Sequence, residues 1–303
     1  MRRLLVVVNG AAGTTDDESV EAALAVLRTG AEVTVARTAD EAELVEAVAG
    51  RAGRRLVVMG GDGSVHAVVR ALDRVGGLDP AEPLGIIPRG TGNDLARSLG
   101  LPLDPAEGAA AALGGTPRAL DLLRGDDGGL VVNAVHVGLG ARAGAEAMRF
   151  KGALGTAAFP LGAALAGVSN SGWHLRVEVD GEVAASEEAG WAADGRTGVL
   201  MVAVCNGATI AGGTPLAPDA RPDDGLADVV VSTATGPVAR AAYGAALLAG
   251  RHVERPDVLV VRGREVTFSG PPVELNADGE IQEAVASRTW RVEHHAWSVL
   301  VPA

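Results

Sequence analysis

Apolar residues form unbroken runs early in the chain and alternate with polar ones later, and that change of period divides the sequence. Residues 4–8 read LLVVV, the mark of a strand buried on both faces. Thr15 followed by Glu18 has capping-box spacing and opens a helix that stops at Gly30. The same alternation continues with a strand over 32–37, then Thr38 with Glu41 as a second capping box opening a helix to about Ala49. A third strand over 56–59 precedes a helix over 65–75, and a fourth over 84–87 leads through PRGTGND to a helix ending near Gly100. This βαβαβαβ order predicts a parallel sheet with helices on its faces, and such sheets bind ligands at the C-terminal ends of their strands.

Beyond Asp121 and Leu122 the pattern changes to strand runs with hairpin signals. VEVDGEVAAS at 177–186 carries Asp180-Gly181 between alternating segments, a type I′ hairpin signature. GVLMVAVCNG (198–207), LADVVVSTA (226–234), VLVVRGREVTFSG (258–270) and RTWRVEHHAWSVLVPA (288–303) read as further strands. One helix interrupts them, with Pro237 in its first turn and Gly250 just past its end. The second half is therefore predicted to be mostly antiparallel β, a sandwich with an inserted helix, and Asp126-Asp127-Gly128-Gly129 is the expected crossover. His294 and His295 alternate across a strand, which predicts solvent-exposed rings that cannot face one metal.

A chain of 303 residues is long enough for two domains that each bury a core, and 48% hydrophobic residues exclude disorder. With 42 glycines and only 3% aromatics, the layers are expected to be thin and closely packed. The formal charge of −12 argues against nucleic acid as a partner and against electrostatic docking to an anionic membrane. Cys205 is the single cysteine, so no intrachain disulfide and no cysteine-based zinc site can form; its MVAVCNG setting predicts a buried small residue at a strand end. The apolar run of five residues near the N-terminus is too short for a signal-peptide core. Residues 152–173 lack charge over 22 positions, yet Pro160, five glycines and Ser169-Asn170-Ser171 predict a buried or surface-docking helix with a loop.

Three of the four early strands end in glycine loops: NGAAG at 9–13, GGDGS at 60–64 and RGTGN at 89–93. Alone, GGDGS equally fits a tight strand-to-helix turn in which Ser64 or Asp62 caps the helix. Three such loops opening on one sheet edge predict a phosphate site, because missing Cβ atoms let backbone N–H groups close on an anion at a helix N-terminus. Asp62 would be repelled by phosphate, so it is expected to act through a metal ion, ordered water or a ribose hydroxyl.

GGDGS together with LGIIPRGTGNDLARSLGLP at 84–102 resembles the catalytic domain of the diacylglycerol kinase family, which includes sphingosine kinases and soluble bacterial lipid kinases. LDLL at 120–123, VNAVHVGLGA at 132–141, VCNGATIAGGTPLAPDARPDDGLADVVV at 204–231 and LNADGE at 275–280 extend the resemblance over nearly the whole chain. It implies an α/β N-terminal domain with a parallel sheet, 1–124, as in NAD kinases and diacylglycerol kinases. A segment at about 293–303 returns to it, 125–292 forms a mostly antiparallel β-sandwich, and the nucleotide lies between the two domains. The implied activity is transfer of the γ-phosphoryl of ATP to a lipid hydroxyl, diacylglycerol-like, with Mg²⁺. The implied setting is cytoplasmic with transient contact at the inner membrane surface, and the resemblance allows a homodimer.

Carried onto this chain, the resemblance places Asn9, Gly10, Gly13, Thr38, Gly60, Gly61, Asp62, Gly63, Ser64, His66, Gly90, Thr91, Asn93 and Asp94 around the nucleotide. Asp278 and Glu280 would stand at the reacting centre, one of them as general base, supported by Asp62. Asp224, with the Arg221 and Leu226 carbonyls, matches the structural Mg²⁺ site. Backbone cradles, a hard cation held by carboxylates and one base are what phosphoryl transfer requires. In isolation DGE at 278–280 reads as a surface hairpin turn; beside GGDG and GTGND it becomes a candidate centre. The chain departs from the family pattern at Gly10, where proline is usual, and at His66-Ala67, where Asn-Glu is usual. A soluble polyol, sugar or nucleotide acceptor, or a nucleotide- or lipid-binding module without turnover, remain the alternatives. The carboxylates Asp62, Asp94, Asp224, Asp278 and Glu280 favour turnover, and the acceptor pocket is expected within 140–175.

Overall fold

The computed structural model describes residues 2–9, 17–138, 172–184 and 196–302. The chain divides into two compact units, Met1–Leu122 with His294–Ala303, and Leu123–Glu293.

In the first unit, strands β1 (Arg2–Asn9), β2 (Ala31–Thr38), β3 (Arg55–Gly60) and β4 (Gly85–Pro88) form a parallel sheet in the order β2-β1-β3-β4. The apolar runs form strands because both sheet faces are covered. Leu4, Val6, Val8, Val57, Met59 and Ile87 pack against helix α1 (Asp17–Gly30) and helix α5 (Pro105–Gly114) through Leu24, Leu27, Ala109 and Ala112, and Leu5, Val7 and Val58 are buried on the other face. Helix α2 (Glu41–Ala49) differs from its expected start: Thr38 is the last residue of β2, paired with Asn9, so its backbone belongs to the sheet. Asp40 is the N-cap instead, accepting from the Glu43 N–H at 2.9 Å, while the Glu43 carboxylate accepts from the Ala39 N–H at 2.8 Å. Thr15 of the first expected box lies outside the described residues. Helix α3 (Asp62–Arg74) begins earlier than its apolar periodicity indicates, and short helix α4 (Asp94–Ser98) precedes the positive-φ Gly100. Helix α5 has no sequence-based counterpart above, because its alanine-rich run shows no apolar stripe; Asp104 capping Ala106 and Glu107, with Pro105 at the first position, is the signal that marks it. The returning segment lies beside β4: Leu84 donates to Ser298 O, Leu300 donates to Leu84 O, and Leu84 and Val299 form a parallel bridge.

The second unit is built from antiparallel pairs. Its strands are β5 (Thr116–Gly125), β6 (Leu130–Val131), β7 (Ala134–Gly138), β8 (Trp173–Val179), β9 (Glu182–Val183), β10 (Arg196–Val199) and β11 (Met201–Cys205). They are followed by β12 (Thr209–Ile210), β13 (Thr214–Pro215), β14 (Ala227–Ser232), β15 (Val258–Gly263), β16 (Glu265–Ala277) and β17 (Glu280–Val301). The main order is β15-β14-β11-β7-β16-β17-β5-β6, with β8 joining β10, β16 and β9. Both faces of its central strands are covered, which explains their continuous apolar runs. Val135, Val137, Val202, Val204, Val229 and Val231 face Leu175, Val177, Phe268 and Trp290. Their neighbours Ala134, Met201, Ala203, Cys205 and Val230 face Leu216 and Tyr243.

Helix α6 (Pro237–Leu248) is the inserted helix, with Gly236 at its N-cap and Gly250 at φ 69° beyond its end. Asp180 and Gly181 have φ of 52° and 83° between the paired Val179 and Glu182, the expected type I′ turn. Residues 126–129 are not the crossover. They turn β5 into β6, with Asp127 accepting from the Gly129 N–H at 2.9 Å and Arg288 paired with Asp126 and Asp127. The chain instead passes between units inside two continuous strands, at Leu122–Leu123 in β5 and Glu293–His294 in β17. Among the described residues no helix is long and apolar enough to cross a membrane; residues 152–171 lie outside them.

Candidate functional site

The two described glycine loops of the first unit meet backbone to backbone. A Cβ on Gly61 would stand 2.8 Å from Gly90 Cα, and one on Gly90 would stand 2.6 Å from Gly61 Cα. Both positions are glycine because the loops approach more closely than any side chain permits. Gly60 is equally confined, since its Cβ would meet the Ser64 hydroxyl, whereas a Cβ on Gly63 would enter open space. Asn93 stands in the left-handed region at φ 52° and closes its own loop, accepting from the Gly90 N–H at 2.8 Å and donating to Gly90 O at 2.7 Å. Thr91 is exposed at the loop tip, while Asn93 and Asp94 are buried.

Asp62 and Ser64 do not cap α3, whose N-cap is Gly61 without a side-chain bond. Asp62 reaches to the start of α4, accepting from the Leu95 N–H at 3.1 Å, and so ties the GGDG loop to the GTGND loop. Its carboxyl is pushed above the usual carboxylate range by burial, opposed by the Asp94 and Leu95 amides and assisted by the nearby Asp94 charge. Asn9 and Thr38 end β1 and β2 side by side at the same edge of the sheet. His66 is buried in α3 rather than displayed on its surface. Gly10 and Gly13 lie outside the described residues, as does most of the segment expected to line an acceptor pocket.

In the second unit, Asp278 and Gly279 have φ of 49° and 91° between the paired Ala277 and Glu280, a tight turn from β16 to β17. The Asp278 carboxylate is fully engaged: one oxygen accepts from the Val132 N–H at 2.6 Å, the other from the Asn133 and Ala134 N–H groups at 2.9 and 3.0 Å. The 132–134 stretch is in turn locked to 206–209. Asn206 donates to Val132 O, Asn133 donates to Thr209 O, and the Asn206 and Gly207 N–H groups donate to Asn133 O. Glu280 is exposed two residues beyond Asp278. Asn133 and Asn206 sit in sequence stretches quoted above without an assigned role; no local pattern announces that they brace a turn more than 70 residues away.

Asp224 lies in the D-D-G turn before β14, where its carboxylate accepts from the Leu226 N–H at 3.1 Å and pairs with Arg262. Arg262 also pairs with the buried Asp228, whose carboxyl is pushed up by burial, lowered by Arg262, and raised further by Asp224 and Asp219. Arg262 thus supplies positive charge to a group of hard oxygen donors.

Cys205 is completely buried, and burial followed by the Asp228 charge pushes its thiol far up, so it is inert. The histidine pair is solvent-exposed as expected, but its rings do not alternate. His295 has φ 52°, which breaks the strand alternation and brings both rings to one side, stacked with centroids 3.6 Å apart.

Residues 3–124 match the family model described as the diacylglycerol kinase catalytic domain, and residues 133–301 match that of the YegS C-terminal NAD kinase beta sandwich-like domain. A Stenotrophomonas maltophilia protein named "Probable lipid kinase YegS-like" is 32% identical over 247 residues, covering 78% of this chain and 75% of its own length. A Pseudomonas putida protein of the same name is 30% identical over 306 residues, covering 95% and 91%. The crystal structure of a diacylglycerol kinase from Bacillus anthracis str. Sterne shares the fold, with a TM-score of 0.77 over 99% of this chain and 96% of that one at 20% identity.

Proposed function

Since the chain belongs to the diacylglycerol kinase family and, within it, to the YegS-like lipid kinases, we propose that ATP is its phosphoryl donor and a diacylglycerol-like hydroxyl its acceptor. It is a phosphotransferase acting on an alcohol group. The observation that carries the nucleotide reading is the open space beside Gly63 in the first turn of α3. That turn stands at the C-terminal end of β3, and a helix N-terminus with no side chain over its backbone favours phosphate.

The arrangement in the second unit separates the roles of the two candidate bases. Three backbone N–H groups stabilise the Asp278 carboxylate and make it a weaker base, so this residue acts as a positioning group that holds the turn against residues 132–134. Glu280, exposed beyond it, is the group that accepts the proton of the lipid hydroxyl as phosphate is transferred. Mg²⁺ suits the oxygen donors at Asp224, with the Arg221 and Leu226 carbonyls as the further ligands that the resemblance implies and Asp219 and Asp228 adding negative charge. When bound there it would replace the charge that Arg262 supplies and support the fold of the second unit. A lipid acceptor requires transient work at a membrane surface.

Purified protein assayed for ADP release with and without diacylglycerol in mixed micelles tests this reading. Mg²⁺-dependent ADP release matched by phosphatidic acid is the expected result. Phosphorylation of soluble polyols or nucleotides but not the micellar lipid would overturn the acceptor, and ATP binding without turnover on any acceptor would overturn the activity.

A further inference from the structure

Among the described residues, Asp121, His294 and His295 bring three metal-ligating atoms within 4.8 Å of one another. We propose that they form a binding site for a divalent transition metal. The positive φ of His295 places its ring on the same side as that of His294, and the rings stack at an angle of 27°. The carboxylate beside them is fixed in place. Asp121 is completely buried, its Oδ1 accepts from the His295 N–H at 2.8 Å, and its carbonyl accepts from Trp297 Nε1 at 3.2 Å. His294 Nδ1 lies 2.8 Å from the same carboxylate oxygen.

Binding exchanges the His294 Nδ1–Asp121 hydrogen bond for bonds to the ion and releases its proton to solvent. Two imidazoles and one carboxylate are then the donor set of zinc, cobalt or nickel rather than of magnesium or calcium, which prefer oxygen throughout. Both rings are exposed, so an ion reaches them from solvent and water completes its coordination. None of the three residues belongs to the glycine loops or the ADGE turn. Their place in the chain gives the site a role. Asp121 stands just before the first passage between units and His294 just after the second, so an ion here ties the two passing strands together. On the other side of the same passages, Arg124 and Glu293 make a two-pronged ion pair at 2.5 and 3.0 Å.

The test uses the full chain stripped with chelator, titrated with Zn²⁺ by calorimetry and with Co²⁺ by visible absorption, with Mg²⁺ for comparison. His294→Gln keeps an amide able to donate to Asp121, and His295→Asn keeps a residue that tolerates positive φ, so both variants should fold. The parent is expected to bind one Zn²⁺ or Co²⁺ per chain, to show an absorption band of nitrogen-ligated Co²⁺ and to melt higher with Zn²⁺. Each variant should bind at least about tenfold more weakly. Absence of saturable binding by the parent, or affinity equal to the parent's in both variants, would overturn the proposal and leave Asp121 as a purely hydrogen-bonded clasp.

Discussion

Gly61 and Gly63 lie two positions apart under opposite constraints, and this separates a test of folding from a test of binding. Valine at 61 would drive a side chain into the Gly90 backbone 2.8 Å away, at a cost of about 1–3 kcal/mol, so any loss of ATP affinity there would be ambiguous. At 63 a methyl group meets nothing within 4 Å. Gly63→Ala should therefore melt at or slightly above the parent temperature, since alanine is favoured over glycine within a helix by about 0.8–1 kcal/mol. It should bind ATP about tenfold more weakly, a loss of about 1.4 kcal/mol, if phosphate oxygens approach that backbone. ATP affinity equal to the parent's would remove Gly63 from the site.

Asp62 permits a second test of this kind. Because burial raises its carboxyl, the folded state holds the proton more tightly than the unfolded one. Its contribution to stability is favourable at low pH and is lost as pH rises from the unfolded value through the raised folded one. Asp62→Asn removes the buried charge and keeps an oxygen for the Leu95 N–H, so it should melt on the order of 2 °C higher at pH 7, lose that advantage in acid, and transfer phosphate poorly.

The turn between β16 and β17 shows what a single element contributes. Asp278→Asn would set an NH₂ group against backbone N–H donors that now meet carboxylate oxygens, so it should lower the melting temperature as well as activity. Glu280→Gln should melt like the parent, bind ATP normally and turn over roughly 10²–10⁴-fold more slowly. If Glu280→Gln is fully active, the proton acceptor lies elsewhere. The sequence made the turn itself visible, because DGE between strand runs has few other readings, but the 132–134 segment that receives Asp278 is 144 or more positions away. The βα alternation of the first unit was legible for a related reason. Strands β1, β3 and β4 there are apolar runs followed by glycine loops, whereas α5 is nearly all small residues and carries no period to read. The second capping box shifted by two residues because strand pairing with Asn9 held Thr38 in the sheet. His295 was misread because a non-glycine residue at positive φ leaves no trace in an alternating pattern.

At the scale of the whole molecule, the buried His136 of β7 sets an acid limit. Burial lowers its pKa from 6.5 to about 4, so the folded protein keeps it neutral where the unfolded chain takes up a proton. Stability from this residue is present above the unfolded value and is lost as pH falls from about 6.5 towards about 4, by up to about 3 kcal/mol. Melting curves of His136→Gln against the parent between those pH values should show a flatter dependence; parallel curves would show that His136 does not govern it. The double passage of the chain has a consequence for biosynthesis. On a ribosome, residues 1–122 emerge long before His294–Ala303, so for most of translation Leu84 lacks its Val299 neighbour and Asp121 lacks His294. The unit that holds the glycine loops is thus completed last although it is made first, and a chain stopped after Glu293 should show no ATP-dependent rise in melting temperature even with all its glycine loops present.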